Sequence, residues 1–316
     1  MKILITGAAG FIGSHLCERL LIDTRHEVVG LDGLVTSSTP VKAREYNLRH
    51  LLQHPRFTFI KQDLLTVQWD QLLPGIDIVY HLAGMPGVRS SWGEDFKHYI
   101  RNNIEATQRL LEGCRTYPVS KFIYASTSSV YGEKIGQVNE MASTAPLSPY
   151  GVSKLTGEQL CKVYAHNDAI PLTILRFFTV YGPRQRPDMA FHRFIQHILQ
   201  NKPIPINGDG TQTRDFTYVE DCVTAIAAAA HADNIMGETI NIGGKERASV
   251  LDCIAILEEH FGKKVERQFM GKPIGEPSHT WADISKAQSL LGYEPKTDLR
   301  KGLKAEILDI YNNPSL

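Results

Sequence analysis

Tyr150 and Lys154 stand four residues apart in SPYGVSKLTGEQL, with Pro149 where helices commonly begin. On a helix that interval puts both side chains on one face, about 6 Å apart along the axis. Such a pair can move a proton. A phenol serves as a base near neutral pH only if its pKa falls from about 10 by roughly 3 units, or ~4 kcal/mol. One ammonium at about 6 Å, in an effective dielectric of ~20, supplies roughly 2.8 kcal/mol, near 2 units. A second positive charge, such as an oxidised nicotinamide ring, must supply the rest, so the base is expected to be strong only with oxidised cofactor bound.

Two further constellations have chemical uses. In KFIYASTSSVYGE an apolar run of strand character, Phe122 to Ala125, leads into four hydroxyls, Ser126, Thr127, Ser128 and Ser129, with no carboxylate among them. In Gly7-Ala8-Ala9-Gly10-Phe11-Ile12-Gly13 the glycines join a first strand to a first helix. There they allow a tight turn and let a pyrophosphate approach backbone N–H groups at a helix N-terminus, where the dipole favours anions. Asp32 closes the second strand about 20 residues beyond Gly13, the place of a ribose-binding acid. A carboxylate there accepts both ribose hydroxyls and repels a 2′-phosphate, which favours NAD over NADP. Asp63, after the strand FTFIK, is either an adenine contact or a turn residue.

These groups need a frame. The runs KILIT, EVVGL, FTFI, IDIVYHLA, KFIYAS and LTILR read as strands, and the stretches between them carry helical apolar spacing, as in Leu155, Leu160, Val163 and Tyr164. The alternation predicts an α/β fold, a doubly wound parallel sheet with helices on both faces. After Arg176 the chain turns rich in Pro, Gly and charge, as in NKPIPINGDGTQTRD, which predicts a smaller second lobe. DFTYVEDCVTAIAAAAHA and ETINIGG again read as strand, helix and strand, so the chain is expected to revisit the first domain.

The totals narrow the partners. The 316 residues are 42% hydrophobic, enough for a sizeable core, and Lys plus Arg and Asp plus Glu are both 34. Without net charge there is no global field to attract nucleic acid or an anionic membrane, and an anionic ligand must meet local arginines. Cys17, Cys114, Cys161, Cys222 and Cys253 are scattered, with no C-x-x-C pair, and read as buried free thiols of a reducing compartment; no metal site is expected of them. No apolar run approaches the ~18 residues of a membrane span, and the opening MKILITGAAG is too short for a signal core. A cytoplasmic protein is expected.

Taken in order, TGAAGFIG, Asp32, HLAG at His81 to Gly84, Asn103, STSSVYG and YGVSK resemble the extended short-chain dehydrogenase/reductase family over essentially the whole chain. The resemblance implies a Rossmann-type domain (residues 1–178 with 216–243) holding NAD. It also implies a smaller C-terminal α/β lobe (179–215 with 244–316) for a nucleotide sugar. By position, Thr127 hydrogen-bonds the reacting sugar oxygen, Tyr150 is the acid/base, and Lys154 lowers its pKa and holds the nicotinamide ribose. Gly7, Gly10, Phe11, Ile12 and Gly13 surround the pyrophosphate, Asp32 the adenosine ribose, Asp63 and Leu64 the adenine, and Leu82, Ala83 and Gly84 the middle of the cofactor. The family usually has Ala at Gly84; backbone contacts need no methyl, so the exchange is expected to be harmless.

Family members that dehydrate a nucleotide hexose resemble STDEVYG at the hydroxyl strand, and those that decarboxylate a uronate resemble STSEVYG. With Ser128 and Ser129 in those places, the chain lacks the carboxylates for either reaction, which leaves oxidation and re-reduction at one carbon. LRFFTVYGPRQRPDMAFHRF looks like UDP-glucuronate 4-epimerases, whereas many UDP-galactose 4-epimerases carry Asn in place of Thr179 and lack R-P-D-M. The expected reaction is therefore NAD-dependent inversion of C4 of UDP-glucuronate to UDP-galacturonate through a 4-keto sugar. UDP-glucose/UDP-galactose epimerisation and uronate decarboxylation are the rivals.

Arg186 offers a planar fork to the uronate carboxylate, helped by Ser128, Ser129 and Thr179. The resemblance puts Ala190, Phe191 and Arg193 near uridine, Arg214 on the diphosphate and Glu276 on the uridine ribose. Many relatives have Arg-x-Gly-Asp where this chain has Pro273-Ile274-Gly275-Glu276, so one diphosphate arginine is missing and Arg89 is its expected substitute. A cofactor sensor without turnover has no need of the Tyr150 and Lys154 pair. A homodimer is expected through the helices after Ser91 and Tyr150, whose apolar positions (Ile100, Ile104, Leu110, Leu111; Leu155, Leu160, Val163) exceed what one sheet face uses.

Overall fold

The first strand, Lys2–Thr6, is buried from Ile3 onward and its side chains alternate between two cores. Ile3 and Ile5 join the cluster containing Ile78, Tyr80, Ile123 and Leu175, while Leu4 joins Val79, Phe122, Tyr124 and Ile174 on the other face. That period of two, apolar on both faces, is what a central parallel strand requires. In the computed structural model, which describes residues 1–34, 39–271 and 274–313, Lys2–Thr6 is an interior member of a seven-stranded sheet. Its neighbours are Glu27–Asp32, then Phe57–Lys61, on one side, and Ile78–His81, Lys121–Thr127, Leu172–Phe177 and Thr239–Ile242 on the other. All pairings are parallel.

Strand order reverses at Lys2–Thr6, which opens a crevice at the carboxyl ends of the strands, where open α/β sheets take ligands. Thr6 lies opposite His81, so the Gly7 turn and the Leu82–Gly84 segment leave the sheet side by side. Thr127 and Phe177 end their strands at the same edge. His81 is locked between hydroxyls, Thr6 Oγ1 at 2.7 Å and Thr107 Oγ1 at 2.9 Å, and its burial lowers the imidazole pKa to about 3.

The return to the main sheet is narrower than the sequence suggests. Thr239–Ile242 joins it, and helix Val219–Ala228 packs against helix Phe11–Leu21. The strand Thr213–Tyr218 instead pairs with Glu246–Ser249 and Thr179–Tyr181 in a separate three-stranded sheet. Aromatic contacts explain its place: Tyr181 meets Phe216 at 6.0 Å and Tyr218 at 5.7 Å, and Phe191 meets Phe216 at 4.8 Å. A further pair, Ile204–Asn207 with Arg267–Met270, completes the smaller sheets. All five cysteines are buried and free, and burial raises the thiol pKa of each.

Candidate active site

The turn between the first strand and helix Phe11–Leu21 is built for close approach. Gly7 has φ +75°, and the Gly10 N–H donates to its carbonyl at 3.0 Å. A Cβ on Gly13 would lie 2.1 Å from the Gly7 oxygen, so no side chain fits. The helix starts at Gly10 with no side-chain cap and no acidic residue in its first turn. Helix Pro149–Asp168, by contrast, is capped by Ser148. Uncapped N–H groups behind a side-chain-free turn suit the pyrophosphate of a dinucleotide.

The buried Asp32 carboxylate accepts the Ala9 N–H at 3.1 Å and the Leu34 N–H at 2.8 Å, with Arg44 at 3.4 Å, and is thereby fixed beside the turn. The Ala83 N–H donates to Thr6 Oγ1 at 3.2 Å. These features fit NAD. Asp63 accepts from the Leu65 N–H and from Arg101, each at 3.0 Å. Leu64 and Phe11 are core side chains, so only their backbones are open to a cofactor, while Ile12 and Leu82 are half-buried.

At the reacting end, Ser148 Oγ accepts the Gly151 N–H at 3.1 Å with Pro149 in the first turn, which holds Tyr150 at the helix start. The Tyr150 ring meets Tyr99 edge-on at 6.2 Å. Burial pushes the Tyr150 phenol up, hydrogen bonding with Thr127 and the Arg186 charge pull it down, and Tyr99 opposes them. Lys154 Nζ sits over the Tyr124 ring at 4.3 Å, and burial lowers its pKa to about 8.

Without the positive charge of a bound oxidised cofactor, the nearby cations do not bring the phenol into its basic form. In the protein by itself the phenol is held neutral, because desolvation outweighs the nearby charges.

Thr127 ends its strand and caps a short turn over Ser128–Val130, accepting the Ser129 N–H at 3.2 Å and donating to Ser129 Oγ at 3.3 Å. Ser128, Ser129 and Thr179 are half-buried. Ser126 faces inward and donates to Glu158 at 2.5 Å. Both Glu158 oxygens take the Arg176 fork at 2.9 and 2.7 Å, an ion pair that ties helix Pro149–Asp168 to the strands beneath. Arg186 acts on the phenols of both Tyr99 and Tyr150, and its fork is held by Asp188 at 2.9 Å on each side. A substrate carboxylate must therefore share or displace Asp188.

Arg89, Arg214 and Glu276, from three distant segments, come together. Arg89 Nε donates to one Glu276 oxygen at 2.8 Å and Arg214 Nη2 to the other at 3.2 Å. With its amide oxygen toward Arg89, Asn207 accepts from that guanidinium at 3.3 and 3.2 Å. Burial, and then repulsion from Arg89, lower the Arg214 pKa despite Glu276. One carboxylate shared by two guanidiniums leaves donors for a dianion. Ala190, Phe191 and Arg193 lie on the first turn of helix Ala190–Leu199; Phe191 points into the aromatic core, so its side chain is not free for uridine. Pro273 lies outside the described residues.

The sequence reading used Asn103 as a landmark and assigned it no work. It sits on a π-helical turn, Ile100–Glu105, and its Oδ1 accepts the Met85 N–H at 2.6 Å. Its Nδ2 donates to the Met85 carbonyl at 3.0 Å and to Ser153 Oγ at 2.9 Å, joining the segment after Gly84 to the Tyr150 helix. Tyr99 and Asn207 carried no recognisable sequence signal, and only folding brings them to the site; Asp188 lies in the R-P-D-M segment that the sequence reading singled out, but its hold on Arg186 was not read there.

Residues 3–243 match the NAD dependent epimerase/dehydratase family. The chain is similar to a UDP-glucuronic acid 4-epimerase from Bacillus cereus, whose crystal structure holds UDP-glucuronic acid and NAD: TM-score 0.98, 56% identity, 99% of each chain covered. It is 58% identical over 307 residues, 97% of each chain, to a Bacillus subtilis protein described as an uncharacterised UDP-glucose epimerase. To a UDP-glucuronate 4-epimerase of Thermodesulfobacterium geofontis it is 38% identical over 309 residues, 96% of this chain and 94% of that one.

Proposed function

The chain belongs to the NAD dependent epimerase/dehydratase family, and we propose from that premise that it inverts C4 of UDP-glucuronate to give UDP-galacturonate. The observation that carries the choice is the turn after Thr127. Ser128 and Ser129 put neutral hydroxyls in the turn that follows Thr127, which itself hydrogen-bonds Tyr150, and that turn carries no carboxylate to drive dehydration or decarboxylation. NAD, when bound, supplies a reversible hydride acceptor for C4, and its fit rests on the Gly7–Gly13 turn, Asp32, Asp63 and the backbone at Leu82–Gly84. Tyr150, as the phenolate that the positive charge of bound oxidised cofactor would favour, takes the O4 proton and returns it, Thr127 hydrogen-bonds that oxygen, and Lys154 supplies a neighbouring ammonium.

The 4-keto sugar is a β-keto acid, which loses carbon dioxide once its carboxylate is free to turn. Arg186, Ser128, Ser129 and Thr179 hold that carboxylate in an orientation that disfavours C–C cleavage. Arg89 and Arg214 receive the diphosphate, Glu276 the uridine ribose, and the first turn at Ala190, Phe191 and Arg193 the uracil, Phe191 through its backbone. The lobes divide as residues 1–178 with 216–243 and 179–215 with 244–316, save that strand Thr213–Tyr218 stays whole with the smaller sheet it shares with Thr179–Tyr181 and Glu246–Ser249. The enzyme works as a cytoplasmic homodimer; among the described residues no helix is long and apolar enough to cross a membrane.

The test is to incubate the protein with UDP-glucuronate and, separately, UDP-glucose, and to read the products by mass and NMR. Unchanged mass with inverted C4 of the uronate is expected. A UDP-pentose product, or turnover of UDP-glucose alone, overturns the assignment. Tyr150→Phe should cost roughly 10²–10⁴-fold in turnover, the usual worth of a positioned acid/base, while NAD and UDP still bind. Unchanged turnover would remove Tyr150 as the acid/base, and a parent chain that binds NAD and UDP without turnover would leave a mere binding protein as the better account.

A further inference from the structure

At the pole of the sheet opposite the crevice, three segments meet: the turn after helix Phe11–Leu21, the residue preceding strand Glu27–Asp32, and the residues following helix Val219–Ala228. They contribute Asp23, His26 and His231. His26 is only 2% exposed, and among the described residues neither of its ring nitrogens has a hydrogen-bond partner. An imidazole buried without partners is costly, so a ligand for it is called for. Its Nε2 lies 3.6 Å from Asp23 Oδ2, and its ring stacks on His231 with centroids 5.4 Å apart. One donor atom from each of the three lies within 4.8 Å of the others.

We propose that Asp23, His26 and His231 form a binding site for a divalent transition-metal ion of the Zn2+ type. Tetrahedral Zn2+ with bonds of ~2.0–2.1 Å sets its donors about 3.3 Å apart and two imidazole centroids about 5 Å apart. The centroids stand near that separation, but the rings lie 23° from parallel, so the exposed His231 must turn out of the stack and Asp23 shift by of order 1 Å for the donors to converge on one ion. Two imidazoles and one carboxylate select Zn2+, Co2+ or Ni2+ over Mg2+ or Ca2+, which take oxygen ligands.

The competitors are visible. Arg25 holds Asp23 at 3.0 and 2.7 Å, but its side chain is 77% exposed, and such a surface pair is weak. Arg56 donates to the carbonyls of Leu21, Asp23 and His26 and leaves the carboxylate alone. The Met1 amine donates to the Arg25 carbonyl. This positive surround weakens the site for a cation, and three protein donors leave a fourth position for water. The bound ion would staple the first helix–strand turn to the end of helix Val219–Ala228, far from the reacting groups.

The experiment uses protein free of any polyhistidine tag, titrated calorimetrically with ZnCl2 and with MgCl2, alongside thermal unfolding. One Zn2+ per chain is expected, with no Mg2+ heat and a higher unfolding temperature in Zn2+. His231→Ala, an exposed change, should weaken Zn2+ at least tenfold and abolish the thermal gain while leaving epimerisation unchanged. Asp23→Asn should behave alike, and Co2+ should give the visible spectrum of a tetrahedral complex only with the intact triad. Absence of stoichiometric Zn2+ binding, or equal binding by His231→Ala, overturns the proposal.

Discussion

Lys154 is buried, and the same burial that makes its ammonium useful to Tyr150 makes it expensive to fold around. Its pKa is about 8 in the folded chain, lowered first by desolvation, against about 10.4 when unfolded. Between those values the unfolded chain binds more protons, so this residue makes stability rise with pH from about 8 to about 10.4. Below that window the penalty is present in full, on the order of 3 kcal/mol. Lys154→Met should therefore raise the unfolding temperature of the cofactor-free protein at pH 7, and the gain should shrink as pH climbs toward 10. Activity should fall. Calorimetry of both proteins across pH 7–10 decides; a gain that persists at pH 10, or none at pH 7, contradicts the assignment of the cost to charge burial. The trade of stability for chemistry is a common one at catalytic sites.

Elements set how closely these side chains meet. The π turn Ile100–Glu105 adds a residue to its helix and aims Asn103 at the segment after Gly84, while the same amide reaches Ser153 on the Tyr150 helix. A Cβ on Gly84 would lie 2.9 Å from Asn103 Oδ1. The exchange that looked harmless from the sequence is thus coupled to this amide, whose oxygen occupies the methyl's place. Gly84→Ala should push the carboxamide aside and weaken the Met85 N–H bond, costing about 1–2 kcal/mol, the worth of one buried hydrogen bond and its unsatisfied donor. Denaturant melts read the loss directly. If the variant is as stable as the parent, the amide yields without penalty and the packing argument fails.

At the scale of the whole molecule, two helices leave apolar side chains uncovered. Ile100 is 45% exposed, Val152 47% and Val163 54%. Leu110 and Leu111, expected at an interface, are fully buried against the sheet, and Leu155 and Leu160 are partly packed, so the candidate surface is smaller than the sequence suggested. A dimer through these helices predicts that Val152→Asp combined with Val163→Asp gives folded monomers by light scattering where the parent chain is dimeric. A monomeric parent at micromolar concentration removes the dimer altogether. The same scale governs the diphosphate cluster, where Arg89 on the short 3-10 turn Arg89–Ser91 shares Glu276 with Arg214, both from the second half of the chain.

By itself the sequence determined the parallel α/β frame, the Gly7–Gly13 turn, Asp32 and the Tyr150–Lys154 spacing. Each depends on contacts within one strand–turn–helix unit or on one helical period, and local patterning is enough to write them. Tertiary structure alone decided that Thr213–Tyr218 leaves the main sheet, that Asn103 fills the space beside Gly84, and that Glu276 bridges Arg89 and Arg214. Those pairings join residues up to 187 positions apart. Burial and long-range packing set them, and with them the protonation of Tyr150 and Lys154, because desolvation depends on neighbours that no local pattern names.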